Sequence, residues 1–144
     1  MKILRIRYGL LLTSIIIIVL EALPLGVIMY FSTGPGNETK ETFSYFSVLP
    51  VGYANVGPFI TAIFSCILFV LTAAYAVSEN KKFIKIISIA CPIAILTSAL
   101  PLMFGMRSIS IINIIVTGCF ILMFVVSRCI CYRQINAREG KTES

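Results

Sequence analysis

The chain has 144 residues, 58% of them apolar and only 12% charged, with no histidine and no tryptophan. Soluble domains carry about 25% charged residues, so this composition excludes an ordinary water-covered globule and a disordered chain. The missing histidine also removes the commonest general base and metal ligand. A formal net charge of +6 does not mark a nucleic-acid partner, because the basic residues stand in short groups at the ends of apolar runs, not along one face.

A bilayer core about 30 Å thick needs about 20 helical residues to cross it. The first predicted span covers residues 8–29 and is interrupted only by Glu21. A long external loop, 30–56, follows, then a charge-free span at 57–77. The third span is 83–104, with Lys85 close to its start, and the fourth is 109–126. Residues 127–144 form a tail that is polar and expected to fray after Tyr132. None of the four spans has the polar outer face that a soluble helical bundle needs. Lys2, Arg5 and Arg7 open the chain as a signal peptide would, but the apolar run continues to Phe31 and Glu21-Ala22-Leu23-Pro24 is a poor cleavage site. The first span is therefore read as a retained helix.

Orientation follows from the basic flanks. Lys2, Arg5, Arg7, Lys81, Lys82, Lys85, Arg128, Arg133, Arg138 and Lys141 fall on one side, and Lys40 and Arg107 on the other, a sorting of ten to two. The predicted fold is an all-α membrane protein: a four-transmembrane-helix bundle in the plasma membrane with both termini cytoplasmic. Residues 78–82 and 105–108 read as tight turns, the first cytoplasmic and the second external.

Glu21 is the foremost candidate site, since a carboxylate inside an apolar segment is costly and is a functional hypothesis by default. It is read either as a proton- or cation-coupling group or as a protonated, hydrogen-bonded packing residue. Pro24 lies beside it and leaves the Leu20 carbonyl without its usual donor. Gly9, Thr13, Ile17 and Glu21 are spaced by four and share one stripe of the helix. Ala90, Ala94 and Ser98 form a small-residue row that lets helices approach closely, within one chain or between copies, with Pro92 as a kink point. Ala22-Leu23-Pro24-Leu25 recurs as Ala99-Leu100-Pro101-Leu102, a match short enough to be read as coincidence.

Seven of the sixteen aromatic residues fall between Tyr30 and Phe59. They predict an interfacial segment lying along the outer headgroups. Tyr53, Asn55, Arg107, Asn113 and Glu21 are the residues that could converge at the outer face, with Arg107 a possible partner for Glu21. Three of the five cysteines, Cys66, Cys91 and Cys119, lie inside apolar runs and read as small hydrophobes. There is no metal-binding cluster, nucleotide-binding glycine pattern or catalytic triad, so no cofactor and no enzymatic activity are expected.

Leu20-Glu-Ala-Leu-Pro-Leu-Gly26, Phe43-Ser-Tyr-Phe46 and Gly52-Tyr-Ala-Asn-Val-Gly-Pro-Phe59 resemble a family of small four-helix membrane proteins of low-GC Gram-positive bacteria. The resemblance covers the first half of the chain closely and the rest by hydropathy. It implies a bacterial plasma-membrane protein and no particular activity. The expected function is a non-catalytic accessory, scaffold or envelope-associated protein. Its expected partners are the lipid bilayer, further copies of itself or a larger membrane complex, and not nucleic acid. The alternative is a small oligomeric proton-coupled transporter using Glu21.

Overall fold

The computed structural model describes residues 2–34, 37–47, 56–78, 80–100 and 110–139. Among these, the elements follow in the order α1 (Lys2–Ala22), β1 (Val27–Gly34), β2 (Asn37–Phe43), α2 (Gly57–Ser78), α3 (Lys81–Ala99) and α4 (Ile111–Glu139). Helix α1 packs on α2, α2 on α3 and α3 on α4, and α1 closes back on α4 through a lighter contact. The core between them is built from Ile17, Leu68, Ile84, Ile87, Val116 and Phe120.

Three helical stretches are long and apolar enough to cross a membrane: Gly57–Ser78, Lys82–Ala99 and Ile111–Arg133. The distribution of side chains is compatible with that of a protein solvated by lipid. Leu12, Ile89, Leu96 and Ile114 point outward, while Ser14, Thr61, Ser65, Thr72 and Ser98 are buried. Lipid tails are as apolar as leucine, so there is little gain in hiding leucine from them, and small polar residues gather between helices. Ser14 and Thr72 meet hydroxyl to hydroxyl at 3.0 Å across the α1–α2 contact. One turn further along α2 the Arg7 guanidinium lies 5.3 Å above the Tyr75 ring centroid, a cation–π pairing.

Helix α1 does not follow the predicted limits. It starts at Lys2 and ends at Ala22, where the sequence predicted 8–29. Pro24 has no N–H to give the Leu20 carbonyl and disfavours helical geometry in Leu23; the Leu23 N–H takes that carbonyl instead, at 3.3 Å. Val27-Ile-Met-Tyr-Phe31 is rich in β-branched and aromatic residues, and it enters an antiparallel pair with β2 in which Val27 faces Phe43 and Tyr30 faces Lys40. The Gly34-Pro35-Gly36-Asn37 sequence between the strands is a strong turn signal. The all-α expectation is thus corrected: part of the predicted loop, and the end of the predicted first span, form a β-hairpin. Its base packs into the molecule through Val27, which joins Tyr45 and Ala62 in a second, smaller apolar cluster.

The α2–α3 connection is as tight as the sequence implied, with Asn80 accepting the Lys82 N–H at 3.0 Å as an N-cap. Helix α3 ends at Ala99, short of the predicted 104, and residues 101–109 lie outside the described residues. Helix α4 runs to Glu139, thirteen residues past the predicted end at Val126. No proline or glycine occurs between Gly118 and Gly140 to stop it. The predicted frayed tail is therefore helical as far as Glu139.

Candidate functional site

Glu21 lies in the last turn of α1, and its side chain is 0% exposed. The span ending at Met29 placed it in the outer half, away from the centre; it lies closer still to the helix end, one residue from it. The chain that returns after β2 covers it. The Tyr45 N–H donates to the Glu21 carbonyl at 3.0 Å, supplying one of the donors that a helix C-terminus lacks. The Tyr45 ring, also 0% exposed, lies against Gly26. A Cβ on Gly26 would stand 2.5 Å from two ring carbons, so only glycine lets the ring approach this closely. The Leu20–Gly26 and Phe43–Phe46 segments, far apart in sequence, meet at this contact.

The Glu21 carboxyl reaches α2. Its Oε2 is hydrogen-bonded to the Ser65 hydroxyl, which also donates to the Ala62 carbonyl at 2.8 Å. Serine has one hydroxyl hydrogen. Ser65 meets both acceptors either by sharing its one hydrogen between them or with a second hydrogen from the carboxyl, in which case neutral Glu21 donates to Ser65 Oγ and Ser65 donates to Ala62. Ionised Glu21 would compete with Ala62 for the Ser65 hydrogen. Glu21 Oε1 and the Tyr45 hydroxyl are both buried and without a hydrogen-bond partner. The Tyr45 hydroxyl lies beside the Asn113 side chain and within the field of Glu21. Burial pushes the Tyr45 phenol well up, Glu21 acts in the same sense and Asn113 opposes them, so the phenol stays neutral at physiological pH.

A second set of bonds adjoins this one. Asn113, in the first turn of α4, donates through its amide to the Ser98 carbonyl at 3.2 Å. The Ser98 hydroxyl contacts the Thr117 hydroxyl at 3.0 Å. Ser110 ties both regions together: it accepts the Ile112 N–H at 3.0 Å as the cap of α4 and donates to the Leu25 carbonyl at 2.8 Å. No family model, no curated protein and no solved structure matches this chain. The arrangement is therefore interpreted from its own chemistry.

The structure brings Glu21 and Asn113 together, with Tyr45 between them. Pro24 is exposed in the turn that follows α1; it ends the helix instead of breaking it internally, and the Leu20 carbonyl it frees is taken by Leu23 and not by Glu21. Tyr53, Asn55 and Arg107 lie outside the described residues. Ala94 and Ser98 are buried and Ala90 is half-buried against the same core, so the row packs inside the molecule. Of the stripe on α1, Ile17 and Glu21 are buried, while Gly9 and Thr13 line an apolar cleft of about 260 Å³ between α1 and α4. Among the described residues, no three His, Cys, Asp or Glu side chains cluster as a metal site would require.

Sequence reasoning missed Ser65 and Tyr45. Ser65 had a legible signal: Thr61, Ser65 and Thr72 fall on one face of an otherwise apolar helix. Tyr45 was visible only as one aromatic among seven. The prediction that these aromatics lie along the headgroups fails for Tyr45, which is buried against α1 and α4, whereas Tyr30 and Phe46 are exposed.

Proposed function

We propose that the chain is a non-catalytic, four-span protein of the plasma membrane, with both termini cytoplasmic, that presents its β-hairpin at the outer face to a protein partner. The observation that carries this reading is the anchorage of the hairpin. Tyr45, locked between Gly26 and the Glu21 carbonyl, turns a connection of loop length into a rigid projection, while Glu38, Lys40 and Glu41 on β2 remain exposed. Support for the membrane placement comes from the outward aliphatic side chains on all four helices and from the ten-to-two sorting of Lys and Arg. On the same reading the protein belongs with the small four-helix membrane proteins of low-GC Gram-positive bacteria that its first half resembles, and it works within a larger membrane complex or as an oligomer.

Affinity purification from native membranes in mild detergent tests this. A specific larger complex is expected, and it should be lost when Lys40→Glu and Glu41→Lys exchange the charges at these two positions of β2. Recovery of this chain alone would contradict the reading. A membrane-impermeant thiol reagent applied to intact cells should label a Lys40→Cys variant and leave Cys129, exposed near the other end of α4, unlabelled.

A second reading, a small proton-coupled transporter, is favoured by the two unpartnered buried oxygens at Glu21 and Tyr45. Reconstituted protein should then show proton-driven flux that Glu21→Gln abolishes; unchanged flux would remove this mechanism.

A further inference from the structure

The ring of helices closes least tightly where α1 meets α4. A cleft of about 260 Å³ opens there, with Ile6, Gly9 and Thr13 on one wall and Leu122, Met123 and Val126 on the other. Gly9 is exposed, and a Cβ at this position would meet nothing within 4 Å, so the hollow reaches the α1 backbone. Thr13, the polar side chain of the lining, donates its hydroxyl hydrogen to the Gly9 carbonyl at 2.9 Å. An apolar lining whose hydroxyl is already satisfied offers little to water or to a polar ligand. It suits hydrocarbon.

One end of the cleft is basic. Ser110, at the head of α4, bonds the Leu25 carbonyl just past α1. The two helices therefore run antiparallel, and the C-terminal part of α4 lies level with the start of α1. Arg133 follows Val126 by seven residues, about two turns, so it continues the cleft-lining stripe of α4 about 10 Å beyond Val126. Its side chain is exposed. On α1, the spacing of Lys2, Ile6, Gly9 and Thr13 puts Lys2 on the cleft stripe as well. Helix α1 begins at Lys2, so its N-terminus, with unpaired N–H groups and partial positive charge, stands at the same end. Such an end favours phosphate. Arg128, two residues after Val126, falls on the opposite side of α4.

We propose that the α1–α4 cleft seats one acyl chain of an anionic phospholipid whose phosphate lies with Arg133 and the N-terminus of α1. The site rests on the membrane placement proposed for the chain. An apolar trough that leads to a positive end matches a molecule with hydrocarbon at one end and a phosphate at the other. A helix from a second copy is a poorer fit: it is about 10–12 Å across, and two turns of it fill several times the cleft volume. Basic residues at a membrane surface attract anionic headgroups without fixing any one lipid. The cleft adds the fixed seat. A chain held there fills the hollow beside Gly9 and ties α1 to α4 where their own contact is lightest.

The test is native mass spectrometry of the full-length protein released from vesicles of equal parts phosphatidylglycerol and phosphatidylcholine. One phosphatidylglycerol per chain should stay bound, in about ten-fold excess over phosphatidylcholine. The Cβ of Gly9→Leu meets no protein atom, and leucine is the better helix former. This variant should fold, fill the hollow and cut retention at least about ten-fold. Arg133→Gln should lower the preference for phosphatidylglycerol about five-fold, and Arg128→Gln, on the other side of α4, should leave it unchanged. Equal retention of the two lipids overturns the proposal, as does retention that Gly9→Leu leaves unchanged. A dimer abolished by Gly9→Leu also overturns it and gives the cleft to a second copy. Should Gly9→Leu fail to fold, the arginines decide: equal effects of Arg133→Gln and Arg128→Gln reduce the site to diffuse surface charge. Protein that does not float with the vesicles overturns the membrane placement as well, whereas floating protein without a lipid preference overturns only this site.

Discussion

The C-terminal ends of α1 and α3 are built alike and used differently. Glu21 and Ser98 each precede the alanine that ends a helix, ahead of a Leu-Pro-Leu sequence. Both side chains are buried, and both contact a hydroxyl on the next helix, Ser65 on α2 and Thr117 on α4. Both backbone carbonyls accept a hydrogen bond from outside their own helix, from the Tyr45 N–H and from the Asn113 amide. The difference is one of hydrogen supply. Ser98 and Thr117 have two hydroxyl hydrogens for three contacts, since each also bonds its own helix, to Ile95 and Asn113. Glu21 and Ser65 have two hydrogens for two contacts when the acid is neutral, and one when it is ionised. A serine at this position makes a fixed polar contact, whereas a glutamate makes one that changes with its protonation.

Substitutions at the two ends separate these roles, and unfolding of the full chain in micelles measures them. Glu21→Ala should be the most damaging, at about 3 kcal/mol, because it opens a cavity under Tyr45 and removes the hydrogen-bonded partner of Ser65. Asn113→Ala follows at about 1.5 kcal/mol, since it orphans the Ser98 carbonyl and takes a neighbour from Tyr45. Ser98→Ala should cost only about 1 kcal/mol, the scale of a single hydrogen bond between helices in a membrane. If Ser98→Ala equals Glu21→Ala, the two ends are equivalent and the comparison fails. The smallest effect, about 0.5 kcal/mol, is expected for Glu21→Gln, whose amide donates to Ser65 as the neutral acid does. A loss as large as that of Glu21→Ala would instead mean that the folded protein needs the ionised carboxylate.

The helical core was legible because helices long and apolar enough to cross a membrane write themselves as long apolar runs, and α2 lies within one residue of its predicted limits. The ends were less legible. A proline two residues past the last helical residue stops α1, but hydropathy alone carries on through Val27–Phe31, since a buried strand and a helix share that signal. Helix α4 shows the converse: polarity ends a span, yet it does not end a helix. At the site, Glu21 stood out because a charge in an apolar segment has a high cost. Tyr45 did not, because its role depends on a contact with Gly26 across the hairpin, which no local pattern encodes. The Ala-Leu-Pro-Leu recurrence, read from sequence as coincidence, coincides with two helix ends that share a bonding pattern.

The claim on which the rest depends is that Tyr45, seated on Gly26, locks the hairpin over Glu21. A double-mutant cycle of Gly26→Ala and Tyr45→Ala measures it directly. Gly26→Ala alone should destabilise by about 2 kcal/mol, because its methyl group displaces the ring. In the Tyr45→Ala background that cost should vanish, giving a coupling of at least about 1 kcal/mol. Additivity within about 0.5 kcal/mol would contradict the contact, and with it the anchored hairpin.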